Sequence, residues 1–432
     1  MRNPMYILRY PSGALIMKTL RAHRILFFCM TIAVMTPFAL SYAGVPLGSC
    51  LRRAFSEVAA WKRSIPKGDV AVPGIVVDYS PASSGQYIGS PGITILPNGE
   101  YLTKDDIFGP KQPKPRLTRV FVSNDQGKTW NLRSTVRGIA WASIFVHRGA
   151  VYMMGTNKGY GTVVIVKSTD DGRTWSVPSD RKSGLLRDKG KFHCAPVPVI
   201  EHRGRLWRAM EDATSPGGWG YRFRPFMMSV PADANLLDAE AWTSSSTVIS
   251  SREWLGGRFS GWLEGNAIVD PHGGIANILR VSRNPRGETA AIVNISNDGK
   301  NASFDPEEGF VAFPGGAVKF TVRHDPQSNR YWALSNPMLP QHQWLVPSRV
   351  RNTLALVSSS DLIHWTTERI VLYHPDAACH GFQYVDWAFD GDDIIAVSRT
   401  AFDDAEGGAC NQHNANYLTF HRLDDFRKKD KK

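Results

Sequence analysis

Acids, a histidine, a tyrosine and basic residues recur along the 432-residue chain where short apolar segments begin or end. They are Lys104, Asp105 and Asp106; His193 and Glu211; Glu264 and Arg280; Lys319 and Asn336; Arg351; and Tyr384, Asp386 and Arg399. Two kinds of chemistry are available to them. Carboxylate, imidazole and phenol groups give or take protons, an imidazole in the neutral range. Ammonium and guanidinium groups bind anions, the guanidinium as a planar fork that matches a carboxylate. No Cys or His spacing is that of a zinc site, so neither a metal nor another cofactor is expected.

Residues this far apart meet only if the fold gathers many strand ends at one place. Ser123-Asn124-Asp125-Gln126-Gly127-Lys128-Thr129-Trp130 recurs 45 residues later as Ser168-Thr169-Asp170-Asp171-Gly172-Arg173-Thr174-Trp175, which is the length of one propeller blade. The Asp suits an Asx-type turn and the Gly supplies positive φ. The Thr opens the outgoing strand and the Trp gives the hairpin an apolar body to bury. Decayed copies stand at Ser296-Asn297-Asp298-Gly299-Lys300 and Ser360-Asp361-Leu362-Ile363-His364-Trp365.

The expectation is an all-β, six-bladed β-propeller over residues 74–426, with blades near 86–136, 139–180, 191–247, 260–304, 315–372 and 380–426. The last segment offers only three strands. The lone strand at 74–79 is expected to add the fourth as an outer strand, closing the ring so that no sheet edge stays open. Inner strands line the channel, and the starts of first strands and ends of second strands collect on one face. The polar residues above occupy those positions in every blade except the second. Strand alternation turns Asp106 toward the channel and Asp105 away from it.

The one long apolar stretch, residues 25–40, follows Lys18, Arg21 and Arg24 and precedes Ser41-Tyr42-Ala43. That is the pattern of a secretory signal peptide over 1–43. Residues 44–73 read as a lead-in with an amphipathic helix at 51–63, Ala54, Val58 and Trp61 sharing a face. Residues 1–43 hold five basic residues and no acid, so their removal lowers the net charge from +12 to +7. A moderately basic, secreted or periplasmic monomer suits an acidic glycan or glycoconjugate. Dispersed charge without a binding motif argues against nucleic acid, and the short apolar span against stable membrane insertion. Leu47-Gly48-Ser49-Cys50 is similar to a lipoprotein box but lies beyond the apolar core. Cys379 and Cys410 bracket a single blade and are candidates for a disulfide. Residues 427–432 read as a solvated basic tail.

The octets resemble the aspartate boxes, or BNR repeats, of the sialidase superfamily, which sit on outer hairpins of propeller blades away from the active site. Three further segments are similar to sialidase segments, in the same chain order. Glu264-Gly265-Asn266-Ala267-Ile268-Val269-Asp270, running through Gly273 to Arg280, resembles the stretch with the glutamate partner of the nucleophile and an arginine for the substrate carboxylate. Arg351-Asn352-Thr353-Leu354-Ala355-Leu356 looks like the segment of a second such arginine. Tyr384-Val385-Asp386, followed by Asp390-Gly391, is similar to the strand bearing a tyrosine nucleophile. The resemblance implies an exo-α-sialidase-like glycoside hydrolase acting on an acidic carbohydrate. In it Glu264 takes the proton of Tyr384, and Arg280 and Arg351 grip a carboxylate; Arg399, Lys319 and Asp386 are further substrate-binding candidates. A neutral phenol is the sensible nucleophile here, because an anionic sugar repels a carboxylate.

The chain departs from that family at two places. Sialidases open the first blade with a Tyr/Phe-Arg-Ile-Pro motif, whereas Ile88-Gly89-Ser90-Pro91 puts Gly89 where the arginine stands. Their general acid follows the second strand of that blade, whereas Ile107-Phe108-Gly109-Pro110-Lys111-Gln112-Pro113 holds no carboxylate. Asp106, with Asp105 beside it, is the nearest substitute, and His193 and Glu211 are reserve candidates. Two other classes remain open. One is a uronate-directed polysaccharide lyase, in which Tyr384 or His193 removes a proton beside a carboxylate; the other is a carbohydrate-binding propeller without turnover.

Overall fold

The two intact octets fold alike. In the first, Asp125 accepts the Thr129 amide at 2.9 Å and the Thr129 hydroxyl at 2.6 Å, while the Ser123 hydroxyl takes the Gly127 amide at 2.8 Å. In the second, Asp170 accepts the same two groups of Thr174 at 2.9 and 2.6 Å, and Ser168 takes the Gly172 amide at 2.8 Å. Each turn thus consumes its own backbone donors, which is what lets the flanking strands pair. Gly127 combines positive φ (86°) with contact against the next sheet: a Cβ there would lie 2.2 Å from the Phe420 ring. The fourth copy begins at Ser359 rather than Ser360, since it is Ser359 whose hydroxyl donates to Asp361 at 2.9 Å.

A computed structural model describes residues 71–283 and 287–428. They form six antiparallel sheets in a ring, a six-bladed β-propeller. The inner strands, in chain order, are Tyr87–Ile95, Ala140–His147, Phe192–His193, Phe259–Val269, Thr321–Asp325 and Gly381–Asp390. Ile75–Tyr79 pairs with Tyr417–Leu423 as the outer strand of the sixth blade, Val76 opposite Thr419 and Asp78 opposite Leu418. Ile88, Ile93 and Tyr101 of the first blade pack with Ile395, Val397, Leu418 and Phe420 of the sixth, so the closure is sealed by an apolar core as well as by a ladder. Among the described residues, helix is confined to short turns, and none is long and apolar enough to cross a membrane.

Several expectations meet the structure at the ends of the chain. The leader 1–43, the helix at 51–63 and Cys50 lie outside the described residues. Arg427 is no solvated tail residue: it forks onto Asp325 at 2.7 and 2.9 Å and reaches Asp392 at 2.9 Å. The Cys379–Cys410 disulfide is not formed, and the Asn414 amide group donates to the Cys410 sulfur at 3.4 Å instead.

A carboxylate cluster sits at the seam. Arg119 forks onto Asp105 at 3.1 and 2.9 Å and also contacts Asp78, so two carboxyls share one guanidinium. Burial, then the charge of Asp105, pushes Asp78 up to about 8 against the pull of Arg119. A carboxyl raised on folding holds its proton more tightly in the native state, so stability falls as pH climbs from the ordinary carboxyl range toward that value. Asp78→Asn retains a donor and an acceptor but removes the titration. Between pH 5 and 8.5 the wild-type melting temperature is expected to fall further than that of the variant; parallel curves would rule out this account of Asp78.

Candidate active site

Four of the six inner strands carry the same irregularity where they reach one cavity. Pairing slips between Gly89 and Gly92, Ala140 and Ser143, Leu263 and Asn266, and Gln383 and Asp386. The second residue of each slip has positive φ: Ser90 (39°), Trp141 (56°), Glu264 (60°) and Tyr384 (55°). All four line a cavity of about 720 Å³. A bulge re-aims a side chain that regular alternation would send elsewhere. Left-handed backbone at a non-glycine residue costs about 1–3 kcal/mol and persists only where its surroundings enforce it.

Buried charged groups supply that enforcement by satisfying the backbone that the bulges unpair. The Lys104 ammonium donates to the Ser90 carbonyl at 2.6 Å. The Trp141 amide donates to Asp106 at 3.1 Å, and the Gly265 amide, just past Glu264, to Glu211 at 3.1 Å. Lys319 donates to the Val385 carbonyl at 2.8 Å, just past Tyr384. Burial holds the Lys319 amine down at about 7. Asp386, expected to bind substrate, instead accepts the Ile93 amide at 3.1 Å and pairs with Arg323 at 3.3 Å. Asn336 ties the Thr353 and Phe382 carbonyls together, each at 2.6 Å. Lys104, Asp105, Glu211, Lys319, Asn336 and Asp386 therefore lie behind the cavity wall, where unpaired backbone and paired charges hold them.

In front of that wall stand Tyr384, Glu264, Arg280, Arg351 and Arg399. The Tyr384 hydroxyl donates to Glu264 Oε1 at 2.6 Å, and Arg280 Nε lies 3.1 Å from Glu264 Oε2. The guanidiniums of Arg399 and Arg351 lie 4.8 and 5.7 Å from the Tyr384 ring centre. Arg280 Nη1 and Arg399 Nε are buried without a hydrogen-bond partner. Such orphaned donors are costly unless a ligand answers them.

Burial pushes the Glu264 carboxyl up, but Arg280, His193, the Tyr384 hydroxyl and Arg351 overcome it, leaving it below the usual carboxyl range. Burial and the Glu264 charge raise the Tyr384 phenol. Glu264 is thus ionised and Tyr384 holds its proton, the state from which a base can activate a nucleophile. Burial lowers Arg351 and Arg399 to about 10, so both stay charged at neutral pH. The Arg399 charge, with burial, drives His413 down to about 2. Three guanidiniums against the one Glu264 carboxylate leave this part of the cavity positively charged.

The cavity also holds residues that sequence reasoning passed over. Arg116 pairs with Asp106 at 3.2 Å. The second blade contributes after all, through aromatic Trp141 and Tyr160 rather than charge. Trp219, 54% exposed on the loop before Arg224–Pro231, has the Arg280 guanidinium 5.3 Å from its ring centre. A signal for Trp141 was present: like Glu264 and Tyr384, it is a large residue two positions before a small polar one near the start of an inner strand. Trp219 has no such marker. Among the described residues no group of His, Cys, Asp and Glu side chains is arranged to hold a metal ion.

No family model matches the chain, and no curated protein matches its sequence. Solved structures do resemble it. A Hadza microbial sialidase matches with a TM-score of 0.55 at 13% identity, over 81% of this chain and 68% of that one. A Dyadobacter fermentans protein of unknown function gives 0.54 at 12% identity, over 82% of this chain and 100% of the other. Penicillium chrysogenum α-L-arabinanase, solved with arabinobiose, gives 0.52 at 15% identity, over 82% and 98%. At these identities the likeness is one of fold.

Proposed function

We propose that this protein is a secreted or periplasmic glycoside hydrolase that releases an acidic sugar, with Tyr384 as nucleophile and Glu264 as the base that activates it. The observation that carries the reading is the 2.6 Å contact of the Tyr384 hydroxyl with Glu264 inside a cavity whose lining includes Arg280, Arg351 and Arg399. Arg280, Arg351 and Arg399 hold the substrate carboxylate, and the unanswered Arg280 Nη1 and Arg399 Nε are the donors it satisfies. Gly89 has no room for a longer side chain, since even a Cβ would lie 2.8 Å from the Asp106 carbonyl oxygen. Arg399 of the sixth blade, 4.4 Å from the Phe108 ring centre beside Gly89, brings a third guanidinium to that side. With the carboxylate gripped, the Tyr384 oxygen attacks the anomeric carbon as its proton passes to Glu264, and the glycosidic bond breaks. Water then attacks that carbon, and Tyr384 leaves with the returned proton. The sialidase and arabinanase of like fold are named for action on carbohydrate, which supports a hydrolase over a carbohydrate-binding propeller without turnover.

The test is product analysis with methyl and 4-nitrophenyl glycosides of N-acetylneuraminic acid and of glucuronic acid, and with a 4-linked uronate oligosaccharide whose C4 substituent a lyase could eliminate. The expected result is free acidic sugar without ultraviolet-absorbing unsaturated product. An unsaturated uronate would instead assign a lyase, and saturable binding without release a lectin.

A further inference from the structure

We infer that His193, oriented by Glu211, is the general acid that protonates the departing group, which leaves on the side where the Trp141 and Tyr160 rings lie 4.8 and 6.1 Å from the imidazole. The inference rests on the hydrolase reading above. That reading leaves one proton unassigned, because the proton of Tyr384 goes to Glu264 and the departing glycosidic oxygen still needs another.

The titratable groups facing the cavity, besides Tyr384, Glu264, the arginines and Tyr160, whose ring stacks on His193 at 6.1 Å as part of the aromatic wall, are Asp106, His193, Cys194 and His413. His413 stays neutral under the Arg399 charge. Burial pushes the Cys194 thiol up to about 12, and the thiol already donates to the Trp141 carbonyl at 3.3 Å. Asp106 is buried, with Oδ2 occupied by Arg116 at 3.2 Å and by the Trp141 amide at 3.1 Å. It is held as a brace between the first and second blades.

His193 is placed differently. Its Nδ1 lies 2.8 Å from Glu211 Oε2, and the other Glu211 oxygen takes the Gly265 amide at 3.1 Å. Glu211 is 1% exposed and, as a carboxylate, can only accept, so Nδ1 carries the hydrogen. The ring is clamped between Phe223 and Trp141, with centroids 4.7 and 4.8 Å away. Nε2 has no protein partner among the described residues and belongs to the ring that borders the cavity. An imidazole fixed at one nitrogen and unpartnered at the other is arranged for proton transfer. Glu211 is the positioning residue: one carboxylate sets both His193 and the bulge that aims Glu264.

The step balances. As the Tyr384 oxygen bonds to the anomeric carbon and its proton moves to Glu264, the carbon–oxygen bond to the departing group breaks and His193 Nε2 gives that oxygen its proton. In the return step neutral Nε2 takes a proton from the attacking water, and Tyr384 recovers its own from Glu264 as it leaves.

Leaving-group dependence tests this on the full chain. A 4-nitrophenolate departs without help, whereas a methoxide needs the acid. His193→Gln is expected to lose about 10²–10⁴-fold in kcat/KM on the methyl glycosides of the two acidic sugars and less than about tenfold on the 4-nitrophenyl ones. Glu211→Gln should show the same pattern, more weakly. In the wild type, with no substitution to disturb folding, the alkaline limb of kcat/KM should be steep for the methyl glycoside and shallow for the 4-nitrophenyl one. Equal losses on both leaving groups, no loss on either, or limbs of equal depth would overturn the assignment to His193. Selective loss in Asp106→Asn would move the acid to Asp106. Wild type inert on all four glycosides would overturn the hydrolase reading, and this inference with it.

Discussion

Tyr384→Phe is expected to lower turnover of a 4-nitrophenyl glycoside of the substrate sugar by at least about a thousandfold, the scale on which removal of a covalent nucleophile acts. Affinity for that glycoside should change only a few-fold, because the carboxylate is held by Arg280, Arg351 and Arg399 and the ring itself is retained. The substitution removes one oxygen and one hydrogen bond, the 2.6 Å contact with Glu264. Glu264 keeps Arg280 at 3.1 Å, so its charge is not stranded, and the variant should melt close to the wild type. Kinetics and binding measured on the same preparation separate the two effects. A variant that turns over at the wild-type rate would remove Tyr384 from the chemistry. One that loses binding in proportion to turnover would make the phenol a ligand rather than a nucleophile.

Arg351→Met should do the reverse. It keeps most of the side-chain volume and removes a buried charge that hydrogen-bonds to the Ser348 carbonyl at 3.1 Å and to Gln383. Loss of a buried, charge-assisted contact to an anion costs about 2–5 kcal/mol, which at 1.4 kcal/mol per decade is a fall in affinity of about 30-fold or more. The protein should not lose stability. Burial lowers Arg351 to about 10, and Arg280 adds to that shift, so its charge opposes folding at neutral pH and is retained at a net cost. Calorimetric titration with the acidic sugar, beside a melting curve, reads both. A lower melting temperature with affinity unchanged would give Arg351 a structural role instead.

The ring was legible in the chain because its cues are local. An Asx turn, a positive-φ glycine and a buried tryptophan fit within eight residues, and the lone strand at 75–79 lacked any partner nearer than the last blade. The slip of one residue in the fourth octet arose because Ser359 and Ser360 are chemically the same, and only the hydrogen bond to Asp361 tells them apart. The proximity of Tyr384 to Glu264 was what the resemblance of their segments to sialidase segments implied, and a propeller permits it by bringing inner strands of several blades to one funnel. What the sequence hid was the support behind them. That Lys104, Asp106, Glu211 and Lys319 brace bulges depends on side chains crossing between strands and between blades, and no local pattern encodes those distances. Trp219 and Arg116 reach the cavity from loops, whose paths are set by tertiary packing.

The most direct test is to catch the covalent intermediate. The wild type is mixed with the 4-nitrophenyl glycoside it turns over, quenched in acid within the first turnover, digested, and weighed by mass spectrometry. The account predicts that the peptide containing Tyr384 gains the mass of one acidic sugar, fragmentation placing it on the Tyr384 oxygen, with no such gain in Tyr384→Phe. A sugar found on Glu264 or Glu211, or turnover with a burst of nitrophenolate and no sugar on Tyr384, would contradict it.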